Sequence, residues 1–223
     1  MATRIRSGED LIKALDALVA VDERLAPARA AVGSVPLRLH APGLEGLLRI
    51  VVGQQLSTAS AAACWDRVVE ALSPFDAALI AAKDDEALRA AGLSRQKAKT
   101  FRAVAGAVCD GLDLEALAIA DPAMARETLE AICGIGRWSA DLYLMFCAGH
   151  PDILPVGDLA VRRGAQFALE LEDEPDPRAL DDIGLLWSPH RSTATRLFYA
   201  YYRLKRQASP IGPSNTDSAG LPL

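Results

Sequence analysis

The stretch Leu129 to Asp158, LEAICGIGRWSADLYLMFCAGHPDILPVGD, sets two helical segments around a corner built on two glycines. One segment closes at Leu129 and Ile132; the next runs from Arg137 to Ala148. Between them Gly134 and Gly136 permit a tight hairpin with positive φ and a close backbone approach. The second segment then begins with unpaired N–H groups, a ready site for a phosphate, and Arg137 and Ser139 stand beside it. Such a hairpin grips a nucleic-acid backbone without reading bases. Taken alone, Gly-x-Gly reads first as an ordinary corner between two helices with glycine at the C-cap. Gly149-His150-Pro151 stops the second segment, and Pro155-Val156-Gly157 leads into Asp158, which suits a helix N-cap.

Outward from this stretch the helical pattern continues. Leu11, Leu15 and Leu18, with Ile12 and Val19, repeat at helical spacing. Pro42-Gly43 breaks the chain before an apolar segment, Leu44 to Val52. Ser57 is the expected cap of a helix to about Leu72, Asp84 of one ending at Gly92, and Ser94 of Arg95 to Val108. Pro122 suits the first turn of a helix into Ile132, Asp158 opens Leu159 to about Leu171, and the last helix runs from Arg191 to about Gln207. No stretch alternates long enough for a strand. Glu170 to Asp182, rich in acid and proline, reads as a solvated connector, and residues 209–223 as a frayed or disordered tail. The expected fold class is all-α.

Composition agrees. The 223 residues are 51% hydrophobic but only 5% aromatic, with apolar content dominated by Ala and Leu, which favours helices and excludes a disordered chain. Cys64, Cys109, Cys133 and Cys147 form no CxxC pair, so neither zinc nor an iron–sulfur cluster gains support. No leader and no apolar run of about 18 residues is seen, so the expected place is the cytoplasm, without membrane contact. The net charge of -5 is the best argument against a nucleic-acid partner. The charge is uneven, however. Arg89, Arg95, Lys97, Lys99 and Arg102 form a basic run, and Arg137, Arg162, Arg163 and Arg191 gather near the hairpin and Asp158 in sequence. The acid of the connector is free to face away.

Trp138 directly after the hairpin and Pro155-Val156-Gly157-Asp158 after the second segment resemble the helix-hairpin-helix superfamily of DNA base-excision glycosylases, and within it the alkylation-repair enzymes. Gly53-Gln54-Gln55-Leu56-Ser57, Ala91-Gly92-Leu93-Ser94 with Lys97, and Trp187-Ser188-Pro189-His190-Arg191-Ser192 match in the same order, across Pro42 to Tyr202. His190 replaces the family's usual aromatic. The resemblance implies that Asp158 is the catalytic carboxylate, a role compatible with an N-cap, and that Trp138, Tyr199 and Leu142 line the base pocket. Tyr199 reads equally as a core aromatic; Tyr143, Trp187 and Tyr202 read as core. Gly134, Gly136, Arg137 and Ser139 would hold the DNA backbone, and Gln54 and Gln55 would lie in the loop that fills the gap left by the extruded base. The carbonyls of Glu130, Ile132 and Ile135 match positions that hold a Na+ or K+ ion; no cofactor is otherwise required.

Bifunctional relatives carry a lysine two positions after the second hairpin glycine, where Trp138 stands here, so no amine is placed for a Schiff base. No cysteine lies beyond Cys147 for an iron–sulfur cluster. The expectation is a monomer acting on damaged double-stranded DNA, excising purines of the 3-methyladenine or 7-methylguanine type. Its expected architecture is two helical subdomains, 42–150 and 1–41 with 151–208, with a cleft between them near Asp158. The alternatives are a glycosylase for deaminated or oxidised bases, a non-catalytic DNA clamp, and an all-α interaction module.

Overall fold

The computed structural model describes residues 3–208; the expectation for 209–223 lies outside them. Among the described residues thirteen α-helices follow in chain order. They are α1 (Gly8–Val21), α2 (Ala26–Val32), α3 (Leu44–Gly53), α4 (Thr58–Leu72), α5 (Ala77–Ala82), α6 (Asp85–Ala90) and α7 (Arg95–Cys109). Then come α8 (Leu114–Ile119), α9 (Pro122–Glu130), α10 (Arg137–Phe146), α11 (Leu159–Ala168), α12 (Pro177–Gly184) and α13 (Arg191–Ala208). No strand occurs among the described residues, and the all-α expectation holds.

The described residues divide into two compact units, 40–148 and 3–39 with 149–208. In the first, α10 is the central element: every residue from Ser139 to Phe146 is buried. A helix that is apolar nearly all round needs neighbours on every side, and α3 and α9 pack on it. Its one buried carboxylate, Asp141, takes Arg126 Nε of α9 at 2.7 Å, joining the two helices of the hairpin. Burial raises the Asp141 pKa, and the Arg126 charge opposes that rise. Tyr143 ties in the rest: its hydroxyl donates to the Leu114 carbonyl at 2.8 Å and accepts from Gly43 N–H at 2.9 Å.

The second unit is built on α13, buried from Ser192 through Tyr199 and packed chiefly on α11. The contact is tight because Gly164 of α11 lies against the backbone of Phe198; a Cβ there would meet the Phe198 carbonyl oxygen, with the carbonyl carbon at 2.7 Å. Trp187 is fully buried and donates from Nε1 to Asp22 at 2.9 Å. The loop before Asp158 is pinned to the start of α13: Ser192 N–H donates to the Pro151 carbonyl, and Ile153 N–H to Ser192 Oγ.

Several boundaries differ from the sequence reading. α9 stops at Glu130, α10 at Phe146 and α11 at Ala168, each short of the expected end. The short helices α5 and α8, capped by Asp76 and Asp113, were not expected. The acidic connector is not simply solvated. Asp176 caps α12, whose Leu180 is fully buried, and Glu174 folds back onto Arg162 at 2.9 Å and Arg163 at 3.2 Å. Acid and proline here are cap and first turn of an amphipathic helix, not linker chemistry.

Candidate active site and hairpin

Asp158 is the N-cap of α11, as its sequence position requires. Its Oδ1 accepts from the N–H groups of Ala160 at 2.9 Å and Val161 at 3.2 Å. Its Oδ2 accepts from the Tyr199 hydroxyl at 2.8 Å. The residue is buried, and the positive end of the helix complements its negative charge. Around Tyr199 lie two cations, Arg38 and Arg196. Arg196 donates from Nε to the Leu37 carbonyl at 3.2 Å, which ties the segment carrying Arg38 to α13. Burial lowers the Arg196 pKa to about 10. Tyr199 moves the other way: burial first, then the Asp158 charge, push it well above 10.0.

The hairpin sits in the other unit. Gly134 has φ +88, in the left-handed region, and a Cβ on it would strike Thr100 of α7, whose Cβ would lie at 2.9 Å. Both its conformation and its contact with α7 therefore require glycine. Gly136 is extended and forms the N-cap of α10 without a side-chain cap bond of its own. Arg137 is exposed and approaches Asp141 at 3.6 Å. Trp138 is half-buried at the head of α10, and Leu142 one turn on is buried.

Ser139 differs from its expected role. It is buried, and its Oγ accepts from Gln54 Nε2 at 2.8 Å rather than facing outward. The same Gln54 nitrogen reaches the Gly134 carbonyl at 3.2 Å. Gln54 therefore latches the α3–α4 loop to the hairpin, and its amide nitrogen is committed inside the unit. Gln55 is exposed and holds φ 55, an unusual conformation for a residue with a side chain.

The basic residues are more engaged than their sequence positions suggest. Lys97 Nζ donates to the Val52 carbonyl at 2.7 Å near the end of α3. Arg102 pairs with Asp85, Arg162 and Arg163 with Glu174, and Arg191 bidentately with Asp152 at 2.7 and 2.9 Å. Arg89, Arg95 and Lys99 remain exposed.

The family of HhH-GPD superfamily base excision DNA repair proteins matches residues 48–189, more than half of the chain. The chain belongs to that superfamily. It is 28% identical over 178 residues to DNA-3-methyladenine glycosylase 1 of Schizosaccharomyces pombe, covering 76% of each chain. The structure of the S. pombe 3-methyladenine DNA glycosylase in complex with abasic DNA is similar with a TM-score of 0.77 at 26% identity, covering 84% of this chain and 95% of that one. DNA-3-methyladenine glycosidase from Bacillus halodurans is similar with a TM-score of 0.75 at 30% identity, covering 92% and 94%.

In this HhH-GPD protein, sequence reasoning missed the Tyr199–Asp158 hydrogen bond and the Gln54 latch. Each joins residues far apart in the chain, 41 positions in the first case and 80 and 85 in the second. The Arg126–Asp141 tie was missed as well; a lone carboxylate amid the apolar run of α10 was its one signal.

Proposed function

We propose that this protein is a monofunctional DNA glycosylase that removes alkylated purines of the 3-methyladenine or 7-methylguanine type from double-stranded DNA, acting as a monomer. The observation that carries the reading is the buried Asp158 carboxylate, held at the head of α11 by three donors and reached through Pro155-Val156-Gly157. The relatives named for 3-methyladenine support the substrate class.

A base inside the duplex is out of reach, so the nucleotide is extruded. Gln55, exposed and left-handed at the loop tip, is the side chain available to enter the vacated space, since Gln54 is latched. The N–H groups at the head of α10 and the hairpin backbone take phosphate oxygens, with Arg137 beside them. A cationic alkylated purine stacks on the electron-rich face of Trp138. The C1′–N bond breaks, and its electron pair neutralises the purine. The oxocarbenium charge developing at C1′ is stabilised by Asp158. Water adds its oxygen to C1′ and passes its proton to the carboxylate. Trp138 offers no amine, so the abasic strand is released uncut.

The carbonyls of Glu130, Ile132 and Ile135 fit a monovalent cation. They are neutral oxygens, and the Ile132 oxygen, which accepts Ile135 N–H at 3.0 Å, keeps a second lone pair. A bound Na+ or K+ would add positive charge for a DNA phosphate there.

The deciding experiment incubates the protein with methylated DNA and measures free methylpurine and abasic sites. The wild type releases methylpurine; Asp158→Asn binds the DNA and releases none. Release by Asp158→Asn at the wild-type rate sinks the assignment of Asp158. Binding without release by the wild type leaves only a clamp.

A further inference from the structure

The two oxygens of Asp158 are held by different elements. Oδ1 belongs to its own helix, accepting from Ala160 and Val161 N–H groups. Oδ2 belongs to α13, through the Tyr199 hydroxyl at 2.8 Å. An N-cap bond alone leaves the second oxygen of a carboxylate to choose its direction. Here that direction is fixed from outside the helix.

The contact follows from the packing below it. Gly164 lets the α11 backbone rest on Phe198, the residue next to Tyr199, and so brings the phenol to Asp158. The ring itself is buried. The phenol also keeps its proton, because burial and the neighbouring carboxylate outweigh the opposing charges of Arg38 and Arg196. A protonated phenol facing a carboxylate donates to it.

We propose that Tyr199 is a positioning residue for Asp158: its hydroxyl, rather than the face of its ring, serves the reaction by aiming the carboxylate at C1′. The proposal rests on the glycosylase reading for its consequence in catalysis, but the anchoring contact stands on geometry alone. It also changes what the resemblance implies for this position, where an aromatic is expected to wall the base pocket. A phenylalanine in this place fills the same space and offers no donor.

Tyr199→Phe keeps the ring and removes the hydroxyl. A hydrogen bond to a charged acceptor that is lost from the reacting geometry predicts about a tenfold to hundredfold fall in single-turnover base release. Affinity for DNA with an abasic-site analogue should stay within about twofold, since ground-state binding is untouched. An unchanged rate overturns the proposal. So does a loss confined to affinity, which would make the ring a pocket wall.

A second measurement needs no activity. The Tyr199 hydroxyl proton should appear in the NMR spectrum of the wild-type chain as a slowly exchanging downfield resonance. It should move upfield in Asp158→Asn, because a neutral amide oxygen accepts less strongly than a carboxylate. Absence of that shift overturns the anchor. If the resonance behaves as expected while the wild type releases no methylated base, the glycosylase reading fails and the anchor stands. Should Tyr199→Phe not fold, the resonance decides alone.

Discussion

Replacing Gly164 by alanine puts the packing argument to a quantitative test. The new methyl would lie 2.7 Å from both the carbonyl carbon and the Cβ of Phe198, and would strike the carbonyl oxygen as well. Ordinary contact begins at 3.4 Å, so α11 and α13 must separate by at least about 0.7 Å, and the obstacle is backbone that no rotamer change can move. Overpacking of this kind costs about 1–3 kcal/mol. Against it stands the helix propensity of alanine over glycine, about 1 kcal/mol. Gly106 in α7 isolates that second term, because a Cβ there meets nothing within 4 Å. Gly106→Ala should therefore stabilise by about 1 kcal/mol and Gly164→Ala destabilise by up to about 2 kcal/mol, a gap of about 1–3 kcal/mol between two chemically identical changes. Thermal unfolding reads it at about 2–4 °C per kcal/mol for a chain of this size. The same separation carries the Tyr199–Asp158 distance from 2.8 Å to the edge of hydrogen bonding, so base release should fall in Gly164→Ala and not in Gly106→Ala. Equal stability of the two variants would refute the account of the α11–α13 contact.

Two further outcomes follow from the geometry. Gly134→Ala combines a left-handed φ with a clash against Thr100, so it should destabilise by about 2–4 kcal/mol, with Thr100→Ala restoring only the share due to its Oγ1 and Cγ2, since its Cβ stays at 2.9 Å; denaturant titration of the single and double variants checks this. Asp22 is held below the ordinary value of 3.8 by its hydrogen bond from Arg24, against burial and with help from Trp187. A lowered folded value means that its stabilisation is complete above 3.8 and is lost as pH falls from there through the folded value. Asp22→Asn should thus be less stable at neutral pH and show a flatter loss of stability below pH about 4, read by acid unfolding; an unchanged pH slope would show that Asp22 carries no part of it.

What the sequence disclosed is what local chemistry determines. Ser57, Asp84, Ser94 and Asp158 cap the helices they were expected to cap, because the capping bond reaches only two or three residues along the chain. The six-residue helices α5 and α8 are too short to show a period, although Asp76 and Asp113 mark their starts. In α12 the acidic composition concealed a cap, a first-turn proline and a buried Leu180. The motif located Asp158 and the hairpin glycines. It could not show that the Tyr199 hydroxyl would meet that carboxylate or that Ser139 would turn inward, since both depend on how distant helices cross. The charge reading erred for the same reason: Arg162, Arg163 and Glu174 are dispersed in sequence and joined in space.

The Gln54 latch sets where mechanical work is done. The hairpin turn and the loop carrying Gln55 are fastened to one another through the Gly134 carbonyl and Ser139 Oγ. Their spacing is set within the protein, as the gauge is set between two rails. A duplex that engages both must take up that spacing itself. The distortion then falls on the nucleic acid, and a site already weakened by a damaged pair yields to it most readily.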